Sequence, residues 1–263
     1  WDYWRTLSSM GLFQQLDAIT LHSYGVMSPA ELTQPILILR ALIDSYSPKW
    51  RIPILSGEWG FPSTEQGYSE GQQAQYLVRQ WLVNLYHDLN VNIWYDWHDD
   101  GPDPHNPEHN FGTVRHDFTA KPTYRAAQTL NRTLHGYRFM RRIPLTSPHD
   151  YLMLFQKEQD VALAAWTTSY AHTLVLPIPT SGVNVVEMTG DEGFIESEGE
   201  GLAVQISQSP RYLLFTPDQA VAELGGWRPA DTLNRMVPGE SETLHIILEN
   251  HFIGPRYGEF QLW

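Results

Sequence analysis

Three times in its first 137 residues the chain sets a short apolar run ahead of an amphipathic helical pattern, and this recurrence limits the fold more than any other feature. The runs are Leu16-Asp17-Ala18-Ile19-Thr20-Leu21-His22, Arg51-Ile52-Pro53-Ile54-Leu55-Ser56-Gly57 and Val91-Asn92-Ile93-Trp94-Tyr95-Asp96-Trp97. After the first, Ser28, Pro29 and Glu31 supply a cap, a proline at the first helical position and an acid; Pro35 then predicts a regular helix from about Ile36 to Tyr46. After the second, Ser69-Glu70-Gly71-Gln72 reads as a capping box, and Ala74, Leu77, Val78, Trp81, Leu82, Leu85 and Leu89 keep helical spacing. The third is followed by a helix predicted over Pro122 to Leu134. Buried strands joined through helices run parallel, so the pattern predicts right-handed βαβ units.

The pattern changes near Tyr137. Short strands are predicted at Tyr151–Phe155, Val161–Thr167, His172–Leu176, Val183–Met188, Leu202–Gln205 and Tyr212–Phe215, punctuated by Gly, Pro, Ser and Asp. Strands without intervening helices imply an antiparallel β-sandwich over residues 138–217. Residues 218–263 read as a linker and a partial β module, loop-like to about Met236 and then extended at Glu242–Glu249 and Glu259–Trp263. The expected class is therefore α/β followed by all-β.

Composition removes several functions. A net charge of −13 without a Lys/Arg cluster would repel a phosphate backbone, which argues against nucleic acid as a partner. No segment approaches the roughly 18 apolar residues of a membrane span. The absence of cysteine excludes thiol nucleophiles and zinc-thiolate sites. Ten Trp and thirteen Tyr suit a cleft that stacks on the C–H faces of sugars, although aromatics also fill sandwich cores.

The chemistry is concentrated where the apolar runs end. They close with His22-Ser23-Tyr24, with Ser56-Gly57-Glu58-Trp59-Gly60 and with Tyr95-Asp96-Trp97-His98-Asp99-Asp100. The carboxyl ends of parallel barrel strands form the active face. Alternation along a strand sends His22 and Tyr24 one way, and Tyr95, Trp97 and Asp99 one way. A carboxylate at Glu58, ringed by Trp, Tyr and His, suits covalent or acid–base work; alone it would read as a helix cap or loop acid. Asp99, Asp100, Asp103, His105, Glu108 and His109 could be read as a metal site, but their spacing fits no ligand motif, and a solvated acidic loop is the expectation.

Leu16–Tyr24 followed by Pro53–Gly60 resembles strands six and seven of clan A glycoside hydrolases, and Asn92–Gly101 looks like strand eight. Asn110–Val114 and Lys121–Ala127 resemble the stretch before the last barrel helix. The flavour is that of families five and thirty-nine, and the likeness covers roughly residues 1–217. It implies the last three βα units of a (β/α)8 barrel over residues 1–137, with Trp1–Phe13 as the helix before strand six. The implied activity is retaining hydrolysis of β-linked glycans without a cofactor or metal. Glu58 would be the nucleophile, and His22, Tyr24, Trp59, Tyr95, Trp97 and Asp99 substrate-binding residues. Tyr24 would hydrogen-bond Glu58. Tyr95 stands where many clan members carry a tryptophan.

The clan's acid/base lies on strand four, which has no counterpart here. The chain is therefore expected to be a fragment, inactive alone, whose missing N-terminal barrel half lies in the same protein or another chain. Family habit suggests secretion or the cell envelope. Two other readings stand beside this one: a non-catalytic carbohydrate-binding scaffold, and a metal-dependent hydrolase using the loop after Trp97.

Overall fold

Pro35 tests the helix rules first. In the computed structural model, which describes residues 1–25, 28–89, 91–178, 180–197, 201–216, 227–229 and 246–248, helix α2 (Thr33–Tyr46) begins three residues earlier than expected. Pro35 is its third residue, where a missing N–H would have had no intrahelical partner anyway. Pro29–Leu32 forms a separate 3₁₀ turn ahead of it. Helix α1 (Asp2–Ser9) also departs from expectation. It stops short of Phe13, with Gly11 in the left-handed region and a 3₁₀ turn at Leu12–Gln15.

Strands β1 (Ile19–His22), β2 (Ile54–Trp59) and β3 (Asn92–Trp94) form a parallel sheet in that order. Helix α3 (Glu70–Tyr86) starts with both halves of the capping box, Gln72 N–H donating to Ser69 Oγ at 3.2 Å and Ser69 N–H to Gln72 Oε1 at 2.9 Å. Helix α4 (Pro122–Thr133) follows β3. Ile36, Leu39 and Ile43 of α2 bury with Ile19, Ile54, Trp59 and Phe61 in one cluster. The opposite face of the sheet is open: Thr20 and His22 are exposed, and Ile93 is 52% exposed.

The remaining strands are β4 (Arg138–Arg142), β5 (Asp150–Lys157), β6 (Asp160–Thr167), β7 (His172–Leu176), β8 (Gly182–Glu187), β9 (Glu192–Glu196), β10 (Leu202–Ile206) and β11 (Arg211–Phe215). Six of them form an antiparallel sheet ordered β4-β5-β6-β11-β8-β9, and β7 pairs with β10 separately. Alternation gives the larger sheet two buried faces. Met153, Ala164, Trp166 and Tyr212 pack with Leu77, Val78, Leu82 and Ala126 of α3 and α4. Leu152, Leu163, Ala165 and Leu213 pack with Leu176, Leu202 and Val204 of the smaller sheet. Helices, large sheet and small sheet are thus stacked in three layers. Tyr151 and Trp166 stack at 4.6 Å and 11°, and Arg142 caps the Tyr151 ring at 3.8 Å.

Strands β4 and β9 were not expected. They are the edges of the large sheet and carry Arg138, Arg141, Arg142, Glu192 and Glu196, a charge pattern that discourages further pairing and masks a strand signature. The stretch expected to loop as far as Met236 contains a strand, β12 (Trp227–Pro229), paired antiparallel with β13 (Ile246–Leu248). Strand β13 is the described part of the run expected at Glu242–Glu249; the run at Glu259–Trp263 lies outside the described residues.

Candidate active site

Strand β2 carries one residue more than either neighbour. Its register on β1 runs Leu21↔Ser56 and then His22↔Glu58, and on β3 Ser56↔Asn92 and then Trp59↔Trp94. Gly57 is the residue passed over on β1. A Cβ there would collide with Thr20 Oγ1, so a side chain at 57 would force the Thr20 side chain to move. At Gly60 a Cβ would strike the Tyr95 carbonyl, so only glycine lets the end of β3 approach the end of β2. The bulge brings Glu58 level with His22. Plain alternation would have put Gly57 there.

Glu58 is half-buried and held from one side. Tyr24 donates its hydroxyl to Oε1 at 2.9 Å, and His22 Nδ1 lies 3.8 Å from Oε2. Burial, followed by the hydrogen bond and charge of Glu58, lifts the Tyr24 phenol well above its ordinary range, so it remains a donor at any working pH. Phe111 packs edge-on to both Tyr24 (6.4 Å) and Tyr95 (5.2 Å), joining the ends of β1 and β3 across the mouth. Burial, then the carboxylates Asp96, Glu108, Asp100 and Glu58, raise Tyr95 as well.

Burial corrects the expectation for two of the substrate-binding residues. Trp59 is 1% exposed and packs on Phe61 at 5.5 Å inside the core, so no sugar can reach its ring. Asp99 is 4% exposed and accepts from Lys121 Nζ at 2.7 Å and from Gly112 N–H at 2.9 Å. It staples the loop and does not face substrate. Alternation failed there because β3 ends at Trp94; beyond it the chain turns, leaving Trp97 63% exposed and Asp99 inside.

The sequence reading also passed over two residues that hold the mouth together. Gln73, buried on α3, donates to the carbonyls of Phe61, Asn110 and Phe111 and accepts from Thr123 Oγ1. Lys121, equally buried, adds Ser63 Oγ at 3.0 Å and the Asn110 carbonyl to its Asp99 contact. Trp94 Nε1 donates to the Phe111 carbonyl at 3.2 Å. A glutamine among the apolar positions of an amphipathic helix is the signal that could have revealed the first of these.

Hydrogen bonds within the acidic loop hold its middle together. His109 Nδ1 accepts from Asp103 N–H, and Asn110 donates to the carbonyls of Asp103 and Asn106. Among the described residues no three His, Asp or Glu side chains gather to hold a metal ion. Among them, too, no helix is long and apolar enough to cross a membrane. A cleft of about 480 Å³, lined by Trp81, Leu85, Asn92, Leu134, Tyr137 and Phe139, lies by the opening residue of β3 and has no carboxylate in its lining.

Solved structures share this architecture. A family 39 glycoside hydrolase from the gut symbiont Bacteroides cellulosilyticus WH2 superposes with a TM-score of 0.70 at 24% identity, over 80% of this chain and 46% of its own. A family 30 endoxylanase from Clostridium papyrosolvens C71 gives 0.52 at 14%, over 77% and 49%. A glucosidase from Croceicoccus marinus gives 0.54 at 14%, over 77% and 55%. All three are glycoside hydrolases. The likeness is one of fold, and the chain spans about half the length of each. No protein-family model and no curated protein sequence matches the chain.

Asp96 is the mouth's most perturbed carboxyl. Burial first, then the charges of Asp100 and Asp99, raise it to about 6, and its Oδ1 is buried without a hydrogen-bond partner. The folded chain holds this proton more tightly than the unfolded chain, where Asp titrates near about 3.9. Stability from this group is complete below that value and is lost as pH rises through about 6. Asp96→Asn should therefore raise the urea midpoint at pH 7.5 and leave it nearly unchanged at pH 4. Equal shifts at both pH values would contradict the assignment.

Proposed function

We propose that the chain carries the nucleophile side of a retaining glycoside hydrolase of the (β/α)8 class acting on a β-linked glycan, with Glu58 as the nucleophile. The observation that carries this reading is the carboxylate of Glu58 at the end of a parallel strand, fixed by the Tyr24 hydroxyl at 2.9 Å and flanked by His22 on the open face of the sheet. The shared fold of the three glycoside hydrolases supports a glycan as substrate.

In the reaction, a Glu58 oxygen attacks the anomeric carbon as its bond to the leaving oxygen breaks, giving a glycosyl ester. Water then attacks the same carbon and releases the sugar and the carboxylate. Tyr24 fixes the plane of the nucleophile. An acid must protonate an ordinary leaving oxygen and later deprotonate the water, from a carboxyl about 5–5.5 Å away. We assign that second carboxyl to another strand of the complete barrel.

An activated 2-deoxy-2-fluoro glycoside with a dinitrophenolate leaving group needs no acid for the first step, so the chain can be tested as it is. Incubation with a panel of such glycosides should add one fluoroglycosyl unit to the peptide that contains Glu58, read by mass spectrometry. Labelling at another residue, or at none across the panel, would overturn the reading.

A further inference from the structure

Helix α3 turns three buried amides, Gln73, Gln80 and Asn84, toward the parallel sheet, where an apolar stripe would pack without polar cost. They stand seven and four residues apart and so share one face of the helix. Gln73 Nε2 donates to the Phe61 carbonyl at 2.9 Å, Gln80 Nε2 to the Trp59 carbonyl at 3.3 Å and Asn84 Nδ2 to Asn92 Oδ1 at 2.6 Å. Side chains of α3 thus hold two of the three carbonyls from Trp59 to Phe61, the segment that directly follows Glu58.

Sheet pairing is interrupted at that point. On β3 the register passes from Ser56 directly to Trp59, and on β1 it ends at Glu58. The Trp59 carbonyl already accepts the Tyr95 N–H at 3.2 Å, so Gln80 brings a second donor to an oxygen that has one. It does so at a cost. Among the described residues Gln80 Oε1 is buried with no hydrogen-bond partner, whereas a methionine would fill similar space with no polar atom to satisfy. Stability alone gives little reason for an amide at position 80. What the amide adds is direction: a donor from the helix side and one from the strand side together fix the plane of the Trp59 peptide.

We propose that Gln80 is a positioning residue for Glu58. By fixing the Trp59 peptide from behind the sheet, it sets the direction in which the preceding residue projects its carboxylate. The contacts run from Gln80 to the Trp59 carbonyl, through the adjoining backbone to Glu58, and from Glu58 to the Tyr24 hydroxyl at 2.9 Å. Gln80 is fully buried on the helix side of β2 and cannot touch a sugar, while Glu58 is reached from the open face. Losing Gln80 should therefore slow attack on the anomeric carbon and leave sugar affinity unchanged, because a nucleophile slightly out of line costs rate and not binding. This role rests on the one proposed for Glu58.

The test compares the full chain with its Gln80→Met variant, using the 2-deoxy-2-fluoro dinitrophenyl glycoside that labels the parent fastest. Labelling is followed by mass spectrometry over a range of glycoside concentrations, and urea unfolding is measured beside it. Gln80→Met should lower the maximal labelling rate about tenfold. The concentration for half-maximal rate should stay the same, and the urea midpoint should stay the same or rise. A merely structural glutamine would give the opposite pattern, a lowered midpoint with the maximal rate of the folded fraction intact, and that result would overturn the role. So would labelling at the parent's rate, or a change confined to the half-maximal concentration. In each of those cases Glu58 keeps its place as nucleophile. A parent chain that takes no label at Glu58 overturns both readings together.

Discussion

In the complete barrel that supplies the second carboxyl, Glu58→Gln should lower turnover of a dinitrophenyl glycoside by on the order of 10⁴-fold or more, because the amide cannot form the glycosyl ester. The loss should fall on kcat and kcat/KM together, since the interaction removed exists only along the reaction path. Folding should survive: Glu58 is half-exposed, its polar partners are Tyr24 and His22, and an amide still accepts from the Tyr24 hydroxyl. The smaller variant Glu58→Ala separates a nucleophile from a residue that only shapes the pocket. Azide can then occupy the vacated space, attack the anomeric carbon from the Glu58 side and leave as the glycosyl azide of inverted configuration. Recovery of turnover with that product is expected. A Glu58→Gln variant that keeps more than a tenth of the parent's rate would remove Glu58 from the chemistry.

The parts of this site that were legible in the sequence are those fixed by local rules. The capping box at Ser69, the helical spacing after it and the buried strands before Glu58 all follow from positions a few residues apart. Glu58 itself stood out because a charge directly after an apolar strand has no packing reason. What could not be read depended on register. One extra residue in β2 pairs Glu58, and not Gly57, with His22, and no pattern within β2 reveals how many residues its neighbours contribute. The same gap explains Trp59 and Asp99. Both lie in aromatic or acidic runs that look like a binding surface, but one turns inward on β2 and the other lies past the last paired residue of β3. Edge strands β4 and β9 escaped because charged edges avoid the apolar alternation by which strands are recognised.

A buried lysine that holds a loop predicts the largest change in stability. Lys121 is 1% exposed and neutralises Asp99, and burial pushes the Asp99 carboxyl above its ordinary range while the ammonium and the Gly112 N–H oppose that rise. Lys121→Met fills similar volume but leaves Asp99 as an uncompensated buried charge, with Ser63 Oγ deprived of its donor and the Asn110 carbonyl of one of its donors. Removing one member of such a pair costs about 3–5 kcal/mol, several times what an exposed pair contributes. Urea unfolding at pH 7.5 should show this loss. It should shrink at pH 4.5, where the stranded carboxyl takes up a proton, and the double variant Lys121→Met/Asp99→Leu should recover part of it. A loss below about 1 kcal/mol, or one independent of pH, would mean that the loop is held mainly by Gln73. The effect should also reach Glu58. Lys121 and Gln73 both hold the Asn110 carbonyl, Phe111 follows it, and the Phe111 ring backs Tyr24, which donates to the nucleophile. Slower fluoroglycoside labelling of Lys121→Met, at a temperature where it remains folded, would demonstrate that this chain of contacts positions Glu58. Labelling at the parent's rate would confine Lys121 to stability.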